Sequence, residues 1–298
     1  MILRHCTLCP RRCGVDRTQK GGVCGGGKNM RAARAALHLW EEPCISGKGG
    51  AGAIFFSGCA LRCCYCQNMR ISQERFGKAI SVSELAEIML RLQSNGAETI
   101  DLVTGSHYAP WIAESLQMVK KKLHIPVVWN SSGYDSSEIL SFLDGLVDVY
   151  LPDWKYIDPF VAERYSHAAD YCQIVEQAIQ VMVQQVGKPV LKNGILQKGV
   201  LIRHLVLPGQ RHQSIALLRR IAERFPTDTV WVSLMGQYTP PSNWLMPDKN
   251  LERRLTTMEY QSVLKVAQEL DLNGFSQDLS SARQSYTPSF HLEGLPDS

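Results

Sequence analysis

Three cysteines in one short loop are the residues best suited to chemistry in this chain. Cys59, Cys63 and Cys66 follow the spacing C-x3-C-x2-C within residues 58–68, directly after the apolar run 53–57. Three soft thiolates in one loop suit a cubane iron-sulfur cluster wrapped by backbone. A closed cluster takes four protein ligands, so three leave one iron open. An open iron can bind a substrate or cofactor directly, whereas a fully ligated cluster can only pass electrons. Zinc is the competing occupant, since it also takes thiolates and needs only a fourth ligand from elsewhere. Cys64 is a further thiol in the loop. Neighbours in an extended chain point to opposite sides, so Cys63 and Cys64 are not expected to serve one cube, and Cys64 reads as a packed or exposed free thiol.

A second constellation opens the chain. Cys6, Cys9, Cys13 and Cys24, spaced C-x2-C-P-x2-C-x10-C, stand among glycines and arginines with little apolar material. Such a segment cannot fold on burial alone and is expected to fold around a metal, either a structural zinc or a second iron-sulfur cluster. No stretch near the N-terminus is long and apolar enough for a signal peptide and none approaches a membrane span, so a cytoplasmic location without a membrane partner is expected. In that compartment ten cysteines point to metal or redox chemistry rather than disulfides. Cys44, Cys64 and Cys172 remain as structural thiols. The net charge of +4 is mild and the lysine run 120–122 reads as a solvated helix end, so no nucleic-acid partner is expected from charge.

At residues 58–68 the sequence resembles the radical S-adenosylmethionine (radical SAM) enzymes. The cysteine triplet, the aromatic Tyr65 just before the third cysteine and the preceding strand ending in glycine carry the resemblance. It implies a 4Fe-4S cluster on Cys59, Cys63 and Cys66, with S-adenosylmethionine chelated at the open iron and Tyr65 against the cofactor. One-electron cleavage of the cofactor then yields methionine and a 5'-deoxyadenosyl radical that abstracts hydrogen from a substrate. The cofactor carries the hard chemistry, and the protein orients and shields it. The N-terminal cysteines with Gly21-Gly22-Val23-Cys24 resemble the opening segment of proteins related to the pyruvate formate-lyase activating enzyme. That branch implies an electron donor such as flavodoxin or ferredoxin, and a glycyl radical enzyme as protein partner. A radical enzyme acting on a small molecule or peptide, and a non-catalytic iron-sulfur electron carrier, are the alternatives.

The elements that must position these residues alternate strand and helix. A strand over 53–57 precedes the loop, and Ser81-Val82-Ser83-Glu84 forms a capping box ahead of apolar residues at helical spacing. Strands follow at 99–103, 126–129 and 147–151, separated by a helix at about 108–123 and one opened by a second capping box, Asp135-Ser136-Ser137-Glu138. Residues 158–187 read as one long or two shorter helices, and Asn193-Gly194 as a hairpin turn between extended runs. A helix at about 212–225, a strand at 230–234 and a helix behind Thr256-Thr257-Met258-Glu259 complete about six strand-helix units. The expected fold is α/β: a parallel sheet curled into a partial barrel, short of the eight units of a closed one. The resemblance likewise implies a partial (β/α)6 barrel. The division is 1–48 for the cysteine-rich module and linker, 49–275 for the barrel and 276–298 for a tail that covers it. Residues 47–52 satisfy G-x-G-x-x-G but precede a strand instead of following one, so the dinucleotide reading is rejected and the stretch is taken as a linker.

Site residues of parallel barrels sit where strands end. Those ends carry Thr104, Ser106 and His107, then Asn130, then Asp153 and Lys155, and finally Gln237 and Tyr238. Asp153 and Lys155 face one side of a strand-like segment. They resemble the Asp-x-Lys segment of glycyl radical activating enzymes that contacts S-adenosylmethionine, and Arg203 to Gly209 resembles their Arg-x-x-Val-x-Pro-Gly strand. By that match Arg203 faces the cofactor carboxylate with help from Lys155; a buried arginine paired with a carboxylate is the plainer alternative. Many family members carry Gly-Gly-Glu where this chain has Thr104-Gly105-Ser106, so Thr104, Ser106 or backbone carbonyls are expected to hold the cofactor's amino group. His107 reads as structural.

Overall fold

The computed structural model describes residues 3–241, 246–277 and 288–296. Strand β1 (Met30–His38) and the one-turn helix α1 (Pro43–Ser46) lead into β2 (Ala51–Phe56), followed by α2 (Met69–Ser72), β3 (Lys78–Ile80) and α3 (Val82–Ser94). The middle of the chain runs β4 (Thr99–Val103), α4 (Ala109–Val119), β5 (Val127–Ser131), α5 (Ser137–Leu143) and β6 (Val149–Pro152). Helices α6 (Pro159–Ser166) and α7 (Tyr171–Val186) precede the hairpin of β7 (Val190–Lys192) and β8 (Ile195–Leu205). Then come α8 (Arg211–Arg224), β9 (Trp231–Met235), α9 (Thr257–Glu269) and β10 (Gly274–Ser276).

One sheet holds the strands in the order β10-β9-β8-β6-β5-β4-β2-β1-β3, with β7 paired to β8 off that path. From β2 through β4, β5, β6 and β8 to β9 every pairing is parallel, the six-strand alternation expected of a partial barrel. Side chains along these strands alternate. Ile54, Ile100, Leu102, Trp129, Tyr150, Ile202 and Val232 pack outward into the main core beneath the helices. The alternate positions face inward. Ala51, Val128, Val149, Leu151 and Leu201 meet Cys44 and Ile45 of α1 in a small second core. Thr99 donates its hydroxyl to the Ile45 carbonyl at 3.1 Å, which sets α1 as a plug at the N-terminal ends of the strands.

Two capping boxes form as expected, Ser81 with Glu84 and Thr256 with Glu259. The third does not. Ser136, not Asp135, caps α5 by accepting from the Ile139 amide, because Asp135 is turned inward to Ser106, Ser131 and Trp129. Residues 158–187 are two helices, α6 ending where His167 adopts a left-handed φ of 54°.

Strand β1 was not expected from sequence. Its Ala- and Arg-rich run has the composition of a helix, and it is extended because both its edges are used. Strand β2 pairs antiparallel along one, and β3 followed by Leu292 and Glu293 takes the other. So β1 and α1, which lie inside the 1–48 segment of the sequence division, are hydrogen-bonded into the barrel sheet. The described part of the tail lies on β1 and sets Phe290 against Ala33, Ala53, Phe55 and Val103.

Candidate active site

The loop after β2 is shaped by Gly58. Its φ is +96°, and a Cβ there would stand 2.3 Å from the Cys24 carbonyl oxygen, so only glycine fits. Cys59, Cys63 and Cys66 line one cavity of about 520 Å³, a volume suited to a cofactor with a substrate. Each sulfur has a donor or hydroxyl beside it. Ser166 donates to Cys63 Sγ at 2.9 Å, Ser72 Oγ lies 3.3 Å from Cys66 Sγ, and the Leu61 amide reaches Cys59 Sγ at 3.5 Å. Burial pushes the Cys63 thiol up, opposed by Lys155, and raises Cys66 to about 12. Cys64 is not on the cavity wall; its amide donates to the Tyr165 carbonyl at 2.9 Å. Tyr65 lines the cavity with its hydroxyl 2.6 Å from that of Tyr156, which in turn lies 2.7 Å from Ser166 Oγ. With Ser166 donating to sulfur, the chain runs Tyr65 to Tyr156 to Ser166 to Cys63.

Below the loop the barrel interior holds a charged layer. Arg203 donates through Nε to Asp153 at 3.0 Å and through Nη1 to Glu41 at 3.2 Å, and its other Nη donates to the side-chain Oδ1 of Asn130. Lys155 meets the second Asp153 oxygen at 2.6 Å. Asn130 donates to Asp101 at 3.2 Å. Burial raises Asp153, but Lys155 and Arg203 together outweigh it and hold the carboxyl below its ordinary value. For Glu41, Glu42 and Asp101 burial wins and the carboxyls are raised.

The four N-terminal cysteines gather in one place. A Cβ on Gly22 would lie 3.1 Å from Cys13 Sγ and 3.8 Å from Cys24 Sγ, and the Cys9 thiol feels Cys24, Cys6 and Cys13. Two arginines fasten this module to the barrel. Arg11 donates to the Ala60 carbonyl of the cysteine loop at 2.9 Å and to Ser166 at 3.0 Å. Arg17, 2% exposed, donates to the His107 carbonyl at 2.8 Å and lies over the Trp111 ring.

The profile of the radical SAM superfamily matches residues 53–221, which include this loop and the charged layer's strands. The chain belongs to the radical SAM superfamily. It is 31% identical over 284 residues to the uncharacterized protein MJ0674 of Methanocaldococcus jannaschii, covering 91% of this chain and 77% of that protein. Among solved structures it is similar to Streptococcus suis SuiB bound to precursor peptide SuiA, with a TM-score of 0.53 and 13% identity over 75% of this chain and 48% of SuiB. The chain thus spans about half of SuiB. Methylornithine synthase PylB superposes with a TM-score of 0.51 and 14% identity, covering 82% of this chain and 72% of PylB. At such identities these likenesses concern the radical SAM fold.

A radical SAM protein needs a cysteine triad that can hold a cube, and the three loop sulfurs fit one. They share a cavity wall, the glycine before them admits no side chain, and two have hydroxyls within reach. Among the described residues no three His, Cys, Asp or Glu side chains are placed to share a single metal ion.

Of the other radical SAM site residues expected from sequence, Tyr65, Thr104, Asn130, Asp153, Lys155 and Arg203 all line the cavity. Thr104 does so in a strained left-handed conformation, φ 60°, with its amide bonded to the Asn130 carbonyl at 2.8 Å. Ser106 does not line it; its hydroxyl is spent on Asp135 at 2.5 Å. His107 is buried with Nε2 donating to the Ser57 carbonyl at 2.8 Å, a structural role. Arg203 both pairs with Asp153 and Glu41 and lines the cavity, so the carboxylate pairing of one of its readings is present at a position that also faces the space the other requires. Sequence reasoning missed Glu41, Glu42 and Asp101. Asp101 had a signal, as an acid in the middle of an apolar strand; the glutamates had none, sitting in a stretch read as linker.

Proposed function

We propose that this chain is an enzyme that binds S-adenosylmethionine and cleaves it reductively, with a 4Fe-4S cluster held by Cys59, Cys63 and Cys66. Held by Cys59, Cys63 and Cys66, the cluster would supply the electron for reductive cleavage of the cofactor and so the hydrogen-abstracting chemistry, with the substrate received in the same cavity. The observation that carries this reading is the placement of three cysteine sulfurs on the wall of a cavity that also contains Lys155, Asp153 and Arg203. Ser166 and the hydroxyl chain behind it donate toward a ligand sulfur. Tyr65 closes one side. Lys155, next to Cys63 and Asp153, offers a cation to the cofactor's carboxylate. Thr104 and neighbouring backbone carbonyls remain the acceptors for its amino group, since Ser106 faces away.

The four N-terminal cysteines are proposed to hold a second iron-sulfur cluster or a zinc, and flavodoxin or ferredoxin to deliver the electron. SuiB is described with a precursor peptide and with S-adenosylmethionine, and PylB as a methylornithine synthase. Neither description concerns activation of a glycyl radical enzyme, so that partner rests on the sequence resemblance alone.

The test is the yield of 5'-deoxyadenosine from anaerobically reconstituted, chemically reduced protein, wild type beside Cys63→Ala. Formation in the wild type and loss in the variant is the expected result. A cluster-loaded wild type that leaves S-adenosylmethionine intact would move the reading to an electron carrier.

A further inference from the structure

The charge of this chain is not spread evenly. Among residues 1–28, Arg4, Arg11, Arg12, Arg17, Lys20 and Lys28 face a single acid, Asp16, so the segment carries a formal net +5 where the whole chain carries +4. Arg11 and Arg17 spend their hydrogen bonds on backbone carbonyls, the first on Ala60, Ser166 and His167, the second on Gly27 and His107. Among the described residues none of the six cations pairs with an acid. Arg4, Arg12, Lys20 and Lys28 are exposed. The cysteine module therefore presents uncompensated positive charge, while the rest of the chain is close to neutral.

The same segment lies against the cysteine loop. The Cys24 carbonyl accepts from the Cys59 amide at 3.0 Å, so a single residue stands between Val23 and the first cysteine of the triad. The Gly22 amide donates to the Gly26 carbonyl at 3.3 Å and folds this stretch into a tight turn, with Val23 on its outer side, 41% exposed. Five of the seven residues 21–27 are glycine, so little side chain separates a partner from the Cys24 backbone, and Lys20 and Lys28 flank the stretch along the chain. A small apolar spot among exposed cations fits a partner of negative charge, which the field of the segment would steer toward it. The segment holds no Phe, Tyr or Trp, so it offers no ring for a base to stack on, unlike the surfaces that bind single-stranded nucleic acid.

We infer that this segment is the docking surface for an acidic one-electron carrier protein, which seats over Val23 beside Cys24. This deepens the proposed function and rests on it, because reductive cleavage needs one electron from outside the chain. The reduced carrier is oxidised by one electron and the group on Cys59, Cys63 and Cys66 is reduced by one; no bond forms or breaks. The surface does not depend on which metal the four N-terminal cysteines hold.

The probes are a plant-type ferredoxin and a flavodoxin, both acidic, offered to the anaerobic cluster-loaded enzyme at low ionic strength. Binding is read by calorimetry, and reduction by stopped-flow absorbance beside chemical reduction with dithionite. Lys20→Glu together with Lys28→Glu should cut the affinity for the carrier, and the rate of reduction by it, about tenfold, the low end of what electrostatic steering supplies, and leave reduction by dithionite unchanged. Reversal of the same number of charges at the exposed Lys121 and Lys122, just beyond α4, should change none of these. Failure of both carriers to bind the wild type at low ionic strength overturns the inference. So does the absence of any loss in the Lys20 and Lys28 reversal, or an equal loss in the Lys121 and Lys122 reversal. A single-stranded oligonucleotide of about twelve residues that binds the wild type as tightly as the carriers do overturns it too and gives the face to nucleic acid. Docking is read here without S-adenosylmethionine, whereas the cleavage reading stands or falls on 5'-deoxyadenosine from chemically reduced protein, so the two can fail separately.

Discussion

The backbone amide of Cys59 donates to the carbonyl of Cys24 at 3.0 Å, joining the last cysteine of the N-terminal set to the first of the loop triad. Gly58 allows this approach. Gly58→Ala should destabilise the protein by on the order of 2–3 kcal/mol, from the left-handed φ and the clash with the Cys24 carbonyl. Urea midpoints should fall and the iron bound per chain should fall with them. An unshifted midpoint would mean that the contact does not hold the two segments together.

Cys63 and Cys64 are neighbours with different surroundings, one on the cavity wall beside Ser166 and one outside it beside Tyr165. Cys64→Ala should retain most of the 5'-deoxyadenosine yield that Cys63→Ala abolishes. Comparable losses in both would place Cys64 among the ligands.

Ser166 tests the electronics. A hydroxyl donating to a ligand sulfur stabilises the reduced, more negative cluster, so Ser166→Ala should lower the cluster's midpoint potential. The expected shift is on the order of 50 mV, close to a tenfold change for a one-electron couple. Redox titration followed by electron paramagnetic resonance reads it, and an unchanged or raised potential would show that the hydroxyl does not act on the cluster.

Of the three buried histidines that burial lowers to about 4, His38, His107 and His204, the last two lie within the barrel and contribute to the acid limit of the fold. His107 donates to Ser57, while His204 donates from Nδ1 to Trp154 and lies 2.8 Å from Ser214, and burial lowers each to about 4. Their folded values lie below the unfolded one of about 6.5, so the unfolded chain binds more protons between those values. Their stabilisation is complete above the unfolded value and is lost as the pH falls through this window. The two together lose about 2.7 kcal/mol per pH unit at the steepest. His107→Gln should roughly halve that part of the slope in urea unfolding measured between pH 7 and 5.

Arg203 is bound to three acceptors and is 14% exposed at its side chain. Arg203→Met would leave Glu41 without its cation and Asp153 with Lys155 alone, at a cost of about 3–5 kcal/mol. Arg203→Lys should recover part of it. Thermal unfolding of the three proteins checks the order, and a Met variant as stable as the wild type would show that the layer is not held by this guanidinium.

What the sequence determined by itself was local. The cysteine triad is written in one eight-residue span, the capping boxes at Ser81 and Thr256 in four residues each, and the placement of Asp153 and Lys155 together in the alternation of an extended chain. The repeat of strand and helix was enough for a parallel partial barrel. The tertiary structure decided whatever depended on partners far along the chain. An Ala- and Arg-rich segment became β1 because β2, β3 and Leu292–Glu293 occupy its edges. Asp135 gave up a cap to take the Ser106 hydroxyl, 29 residues away in sequence, and that turned Ser106 from the cavity. Glu41 and Glu42 came to line the cavity because α1 lodges at the strand ends, and a plug is defined by the opening it fills.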